Sequence, residues 1–226
     1  MKTFTASALS ALAGIAALAV PATAHAEDDG KIQVKLLGTA VLPDGKVTDV
    51  NVDIIGLPAN LQTEANNNVV PTIAIEYFFN DNLSLETICC MTQHDVDATT
   101  GLPGAELVSN AKVIPATFTL KYHLDAGPIK PYIGAGATYF LWVKDNPGAS
   151  TIPLGATSTD LSNEFGVVLQ GGVDIPLGDN GFGLALDAKK YWVGTTARWY
   201  AGNTLAIETE HDLDPWVLSA GVSYRF

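Results

Sequence analysis

The feature that most constrains this chain is a two-residue alternation that runs to its last residue. In residues 213–226, LDPWVLSAGVSYRF, one face holds Trp216, Leu218, Ala220, Val222, Tyr224 and Phe226; the other holds Val217, Ser219, Gly221, Ser223 and Arg225. A period of two belongs to a β-strand. A strand of a soluble sandwich is normally followed by a turn. This one carries an aromatic to the chain terminus on its apolar face, as strands that close outer-membrane barrels do.

Seven other segments alternate in the same way: 31–41, 69–79, 83–91, 112–123, 131–142, 165–175 and 182–193. Most have about the nine to eleven residues that a tilted strand needs to cross a bilayer. Three of the connections, 80–82, 124–130 and 176–181, are short and carry turn residues, as in Asn80-Asp81-Asn82, Ala126-Gly127-Pro128 and Gly178-Asp179-Asn180-Gly181. The four others, 42–68, 92–111, 143–164 and 194–212, are long, and 158–164 reads as a short helix capped by Ser158 or Thr159. Short and long in strict alternation predict an all-β fold: an eight-stranded antiparallel up-and-down transmembrane barrel with short periplasmic turns and four long extracellular loops.

Which face is apolar separates a membrane barrel from a soluble one, because the two are inverted. Lys35, Glu76, Glu86, Lys121, Asp174, Asp187, Lys189 and Arg225 all oppose the apolar face of their strands. A lysine facing lipid near the midplane would cost about 2–4 kcal/mol, so these four bases and four acids are assigned to the lumen. Eight strands leave an interior only wide enough for side chains. The enclosed charges must therefore pair, and the expectation is a plug of cross-lumen ion pairs with no open aqueous pore. A charged, solvated face of a soluble sandwich would explain the alternation equally well, but not the aromatics. Tyr77, Phe79, Tyr122, Phe182, Tyr224 and Phe226 fall near the short-turn rim, and Trp142, Phe165, Trp192 and Trp216 near the long-loop rim, as two interfacial girdles would.

Location follows from the start of the chain. Lys2, the uncharged run 4–20 and Ala24-His25-Ala26 form a signal-peptide pattern cleaved after Ala26, leaving 27–226 as one barrel domain. Those 200 residues hold 11 Lys plus Arg against 24 Asp plus Glu, a net charge of −13, since the leader removes only Lys2. Such acidity argues against nucleic acid and disfavours simple electrostatic docking to anionic lipid. Cys89 and Cys90 are adjacent, so they point to opposite faces of a strand and read as small apolar fillers.

Three stretches carry a resemblance to a known family: Leu213-Asp214-Pro215-Trp216-Val217 with 219–226, Lys130-Pro131-Tyr132-Ile133-Gly134-Ala135-Gly136-Ala137-Thr138-Tyr139, and Gln170-Gly171-Gly172-Val173-Asp174. With the strand spacing of the whole chain from residue 27 on, they resemble the outer membrane protein W (OmpW) family. The resemblance implies a monomeric outer-membrane barrel without cofactor or metal, surrounded by lipid, with an apolar pocket at its outer end that passes small hydrophobic molecules sideways into the membrane. It places the pocket floor at Ile88 and near Lys189. Lys189 departs from the family's aromatic there and is placed to pair with Glu86, leaving Tyr191 as the nearest inward aromatic. Tyr224 and Phe226 become the signal read by the barrel-assembly machinery. Lateral exit needs a lapse in the ladder, for which Pro71, Pro115 or a glycine are candidates.

Two other classes remain open from the residues. His94 with Asp95 and Asp97, or His211 with Asp212 and Asp214, could serve a loop-sited hydrolase. No serine or cysteine motif accompanies them, and no catalytic residue is assigned. A structural or receptor barrel that displays its loops is the third class.

Overall fold

The structure, a computed structural model, describes residues 30–226; the expected leader lies outside them. Ring closure is made by the two ends of the described chain. β1 (Ile32–Leu42) runs antiparallel to β14 (Trp216–Arg225), from Gln33 opposite Arg225 to Leu42 opposite Trp216. Ile32 and Phe226 exchange backbone hydrogen bonds at the rim. The other flank of β1 pairs with β4 (Asn68–Phe78), and the ring continues through β5 (Leu83–Cys89), β7 (Glu106–His123), β8 (Lys130–Pro147), β10 (Glu164–Pro176) and β11 (Phe182–Trp192) back to β14. These eight strands are the predicted ones, and the barrel is closed and antiparallel.

Alternation sets the inside and outside of the wall. Outward positions such as Ile73, Ile75, Phe118, Leu120, Ile133, Val167, Leu169, Leu184 and Leu186 are apolar and exposed, Phe165 at 79 %. Inward positions are polar and buried: Gln33, Lys35, Thr72, Glu76, Ser84, Glu86, Thr119, Lys121, Gln170 and Lys189. This inside-out distribution belongs to a barrel dissolved in lipid.

The long connections are themselves sheet. β2 (Lys46–Asp53), β13 (Thr204–Asp212), β12 (Gly194–Ala201) and β9 (Ser158–Leu161) form a second, four-stranded sheet, while β3 (Gln62–Ala65) and β6 (Thr92–Thr100) extend the barrel sheet alongside the upper part of β7. Val108, Ala111, Leu161, Ala197 and Trp199 form a core of their own above the barrel. The helix expected over 158–164 is corrected by this arrangement. Ser158–Leu161 is strand β9, paired from Ala197–Leu161 to Tyr200–Ser158, and the helical turn lies earlier, at Ile152–Leu154. The stretch alternates and lacks an apolar face at helical spacing, so pairing with β12 decides its conformation.

Trp142 is also corrected. It turns inward and lines a cavity, whereas Phe165, Trp192 and Trp216 face outward near the same rim. One glycine leaves room for an inward ring: a Cβ on Gly172 would stand 2.4 Å from both Tyr132 Oη and the Leu186 carbonyl oxygen. Gly172→Val is expected to push Tyr132 aside and cost about 1–3 kcal/mol, the usual range for overpacking, read from the urea midpoint of the heat-modifiable gel band, the faster-running band expected of a folded barrel before boiling.

Candidate functional site

The lumen is divided into two zones. Toward the short turns, Lys35 Nζ lies 2.9 Å from Glu76 Oε2, 3.3 Å from Glu86 Oε2 and 3.1 Å from Asp174 Oδ1. Lys121 Nζ meets Glu76 and Glu86 at 2.8 and 3.0 Å. Lys189 Nζ meets Glu86 Oε1 at 3.0 Å and Asp187 Oδ1 at 2.7 Å. Glu86 is the hub, touching all three ammonium groups. The strands that carry these groups span the ring, so pairs such as Lys189–Glu86 cross the lumen.

Four uncharged or weakly basic side chains complete the cluster. Gln170 Nε2 donates to Glu86 Oε1 at 2.8 Å and to Asp187 Oδ2 at 2.6 Å. Tyr132 donates to Asp187 Oδ2 at 2.8 Å, and its ring lies 3.7 Å beneath the Lys121 ammonium. His123 Nε2 and the Ser84 hydroxyl both reach Glu76 Oε1. Seven of the eight carboxylate oxygens accept a hydrogen bond, and the eighth, Asp174 Oδ1, has only the Lys35 ammonium beside it at 3.1 Å. The sequence reading considered charges only and missed these four residues. The same period of two marks them, since Ser84, His123 and Gln170 lie two, two and four residues from Glu86, Lys121 and Asp174 on the inward face, and Tyr132 shares the inward face of β8.

Arg225 does not join. Its guanidinium stacks on Phe78 at 3.9 Å and its Nε donates to the Gly30 carbonyl, because it sits at the rim, below the level of the acids.

Above the cluster the lumen becomes apolar. A cavity with about 660 Å³ of free space, its open side included, is lined by Val41, Ile88, Cys90, Val113, Phe140 and Tyr191 among others. Ile88 and Tyr191 are brought together at its wall. Lys189 is not part of the lining, because its ammonium is drawn to Glu86 and Asp187. Tyr191 packs against Phe140, with ring centroids 6.0 Å apart. Cys90 faces this cavity and Cys89 faces outward, and both are free thiols.

The loop histidines are held by neutral groups. His94 Nδ1 donates to the Asn66 carbonyl at 2.6 Å and Nε2 lies 2.9 Å from Thr92 Oγ1. His211 lies 2.6 Å from Thr209 Oγ1 through Nε2 and 3.4 Å from Thr63 Oγ1 through Nδ1. Neither ring bonds to the aspartates beside it in sequence, since neighbours on a strand point to opposite sides. Burial lowers the pKa of His94, and it lowers that of His211 to about 4.

An ionised lumen inside an apolar, lipid-facing wall defines an eight-stranded β-barrel of the outer membrane. The OmpW family profile matches residues 28–226, and the chain belongs to the OmpW family. It is 32 % identical over 199 residues to the uncharacterized outer-membrane protein y4mB of Sinorhizobium fredii, covering 86 % of this chain and 79 % of that one. To the outer membrane protein AlkL of Ectopseudomonas oleovorans it is 26 % identical over 180 residues, covering 79 % and 74 %. The crystal structure of the outer membrane protein OprG from Pseudomonas aeruginosa has the same fold, with a TM-score of 0.78 at 21 % identity over 88 % of this chain and 97 % of that one.

Two outcomes follow from this chemistry. Glu86→Gln removes the charge that three lysines share, and is expected to cost about 3–5 kcal/mol of unfolding free energy in lipid, measured by urea titration. His211 is neutral in the folded and unfolded chain above its ordinary pKa of 6.5. As the pH falls toward 4, the unfolded chain takes up a proton that the folded one resists, so the outer sheet loses roughly 3 kcal/mol. Hydrogen exchange of the β13 amides is expected to speed up over that window in the native chain and to lose this dependence in His211→Gln.

Proposed function

We propose that the barrel takes up small hydrophobic molecules from outside into its apolar cavity and releases them sideways into the membrane. The observation that carries this reading is the stacking of an apolar cavity on an ion-paired plug. An apolar solute gains roughly 25 cal/mol for each Å² it removes from water, while descent into the cluster would break hydrogen bonds between buried ions and return nothing. Ile88 and Tyr191 line the binding site; Lys189, with Glu86 and Asp187, seals it below. The monomer suffices for this, and Tyr224 and Phe226 serve as the strand-end signal for the barrel-assembly machinery.

A lapse in the barrel wall supports lateral exit. β5 pairs with β7 as far as Ile88–Thr117, and pairing resumes on β6 at Thr92–Val113. Between them Cys89, Cys90 and Met91 run beside 114–116, where Pro115 has no N–H to give. Cys90 and Pro115 both line the cavity, so the lapse adjoins the bound solute. Pro71 is the weaker candidate, since it sits opposite Gly38 within an unbroken register. A loop-sited hydrolase is disfavoured because His94 and His211 are occupied by threonines and a carbonyl.

Vesicles containing the protein are expected to admit N-phenylnaphthylamine faster than empty ones while conducting few ions. Ile88→Trp fills the cavity and is expected to reduce entry several-fold with the heat-modifiable band intact. Pro115→Val restores a ladder N–H and is expected to slow transfer to the bilayer by more than it changes binding. A large, steady aqueous conductance would overturn the closed lumen, and entry unaffected by Ile88→Trp would overturn the cavity's role.

A further inference from the structure

Bases are scarce on this acidic chain, and several are paired with acids. Lys35, Lys121 and Lys189 are held in the lumen, while Lys46 pairs with Asp44 and Arg198 with Asp160 and Glu208. Lys112 and Lys144 are different. They are direct ladder partners on β7 and β8. Ala111 and Val113, the neighbours of Lys112, line the cavity, so Lys112 points away from it to the outer surface. Val113 pairs with Trp142 and Lys112 with Lys144, so Val143 is an extra residue on β8, and this irregularity brings Lys144 to the same outer side.

Two ammonium groups directly across a ladder repel each other. Among the described residues neither forms an ion pair or hydrogen bond. The neighbouring carboxylates are committed elsewhere: Asp145 accepts from the Leu161 N–H at 2.7 Å, and Asp95 from the Asn110 N–H at 2.7 Å. Below the pair, toward the short turns, the same outer face continues with Ile114, Ala116 and Phe118 on β7 and Tyr139 and Leu141 on β8. The lysines therefore stand where the apolar band ends at the outer rim, at headgroup depth.

We propose that Lys112 and Lys144 bind the phosphate of an outer-leaflet lipid, whose acyl chains lie along Ile114, Phe118 and Leu141. A phosphate spanning both ammonium groups converts their repulsion into two charge-assisted hydrogen bonds, and the apolar row below gives the chains their surface. Net charge disfavours anionic lipid for the molecule as a whole, but charges beyond about 8 Å are screened, and the two near acids, Asp145 and Asp95, each already accept a backbone N–H. The site is independent of the cavity and of what the cavity carries.

Native mass spectrometry of the detergent-solubilised full chain with diphosphorylated lipid A, and with the same lipid after phosphate removal, tests this. The phosphorylated lipid is expected to bind about thirty-fold more tightly, at the strength of two lysines near an anionic headgroup. Lys112→Gln/Lys144→Gln should abolish that preference, the double arginine variant should keep it, and Lys46→Gln should leave it unchanged, all with the heat-modifiable band retained. Undiminished binding of the phosphorylated lipid by the double glutamine variant would overturn the proposal. So would inorganic phosphate binding as tightly as the lipid, which would make this a soluble-anion site.

Discussion

Ionised side chains can be sealed inside so narrow a barrel only if nearly every charged atom finds a partner, and that requirement organises the structure. Moving an unpaired carboxylate or ammonium out of water costs several kcal/mol. Here Glu86 takes two donors on each oxygen, from Lys35 and Lys121 on one and Lys189 and Gln170 on the other. Those donors come from four strands, so the hub ties together staves that are far apart in sequence. Tyr132 extends along the wall, over Gly172 on the neighbouring strand, to Asp187 on the next, and Gly172 is bare because the tyrosine and the Leu186 carbonyl occupy the space a Cβ would need.

The plug gives the cavity its meaning. Had the polar zone continued to the outer rim, the barrel would be a filled rod; had it been absent, the lumen would offer an apolar tube. Instead the inward face changes character between Glu86 and Ile88 on β5, and between Lys189 and Tyr191 on β11. One step of the strand period separates a buried ion from an apolar wall. The outer sheet stands over this boundary, with its core bridged to the barrel by Trp142, which packs against both.

The membrane class, the eight spans and the inward charges could be read from periodicity, because a side chain on a strand has only two directions and lipid tolerates few charges. The same rule, applied to polar residues generally, would have found Ser84, His123, Gln170 and Tyr132. What resisted reading was local and depended on partners. Ser158–Leu161 is too short for its alternation to decide its conformation and becomes strand by pairing with β12. Arg225 has the right parity but the wrong height, since parity does not report depth along the barrel axis.

By itself the sequence determined the side on which residues lie wherever the strands pair regularly, and hence the lipid-facing wall, the ionised lumen and the family. Only the tertiary structure decided who meets whom. The shared hub at Glu86, the cavity that gathers Ile88, Cys90, Phe140 and Tyr191, and the wall lapse beside Pro115 all depend on the register of strands distant in sequence. Lys144 makes the distinction plain. Strict alternation along β8 would carry it inward beside Trp142, yet one extra residue in the ladder turns it outward against Lys112. A period of two fixes direction only while the pairing is regular, and the pairing belongs to the fold.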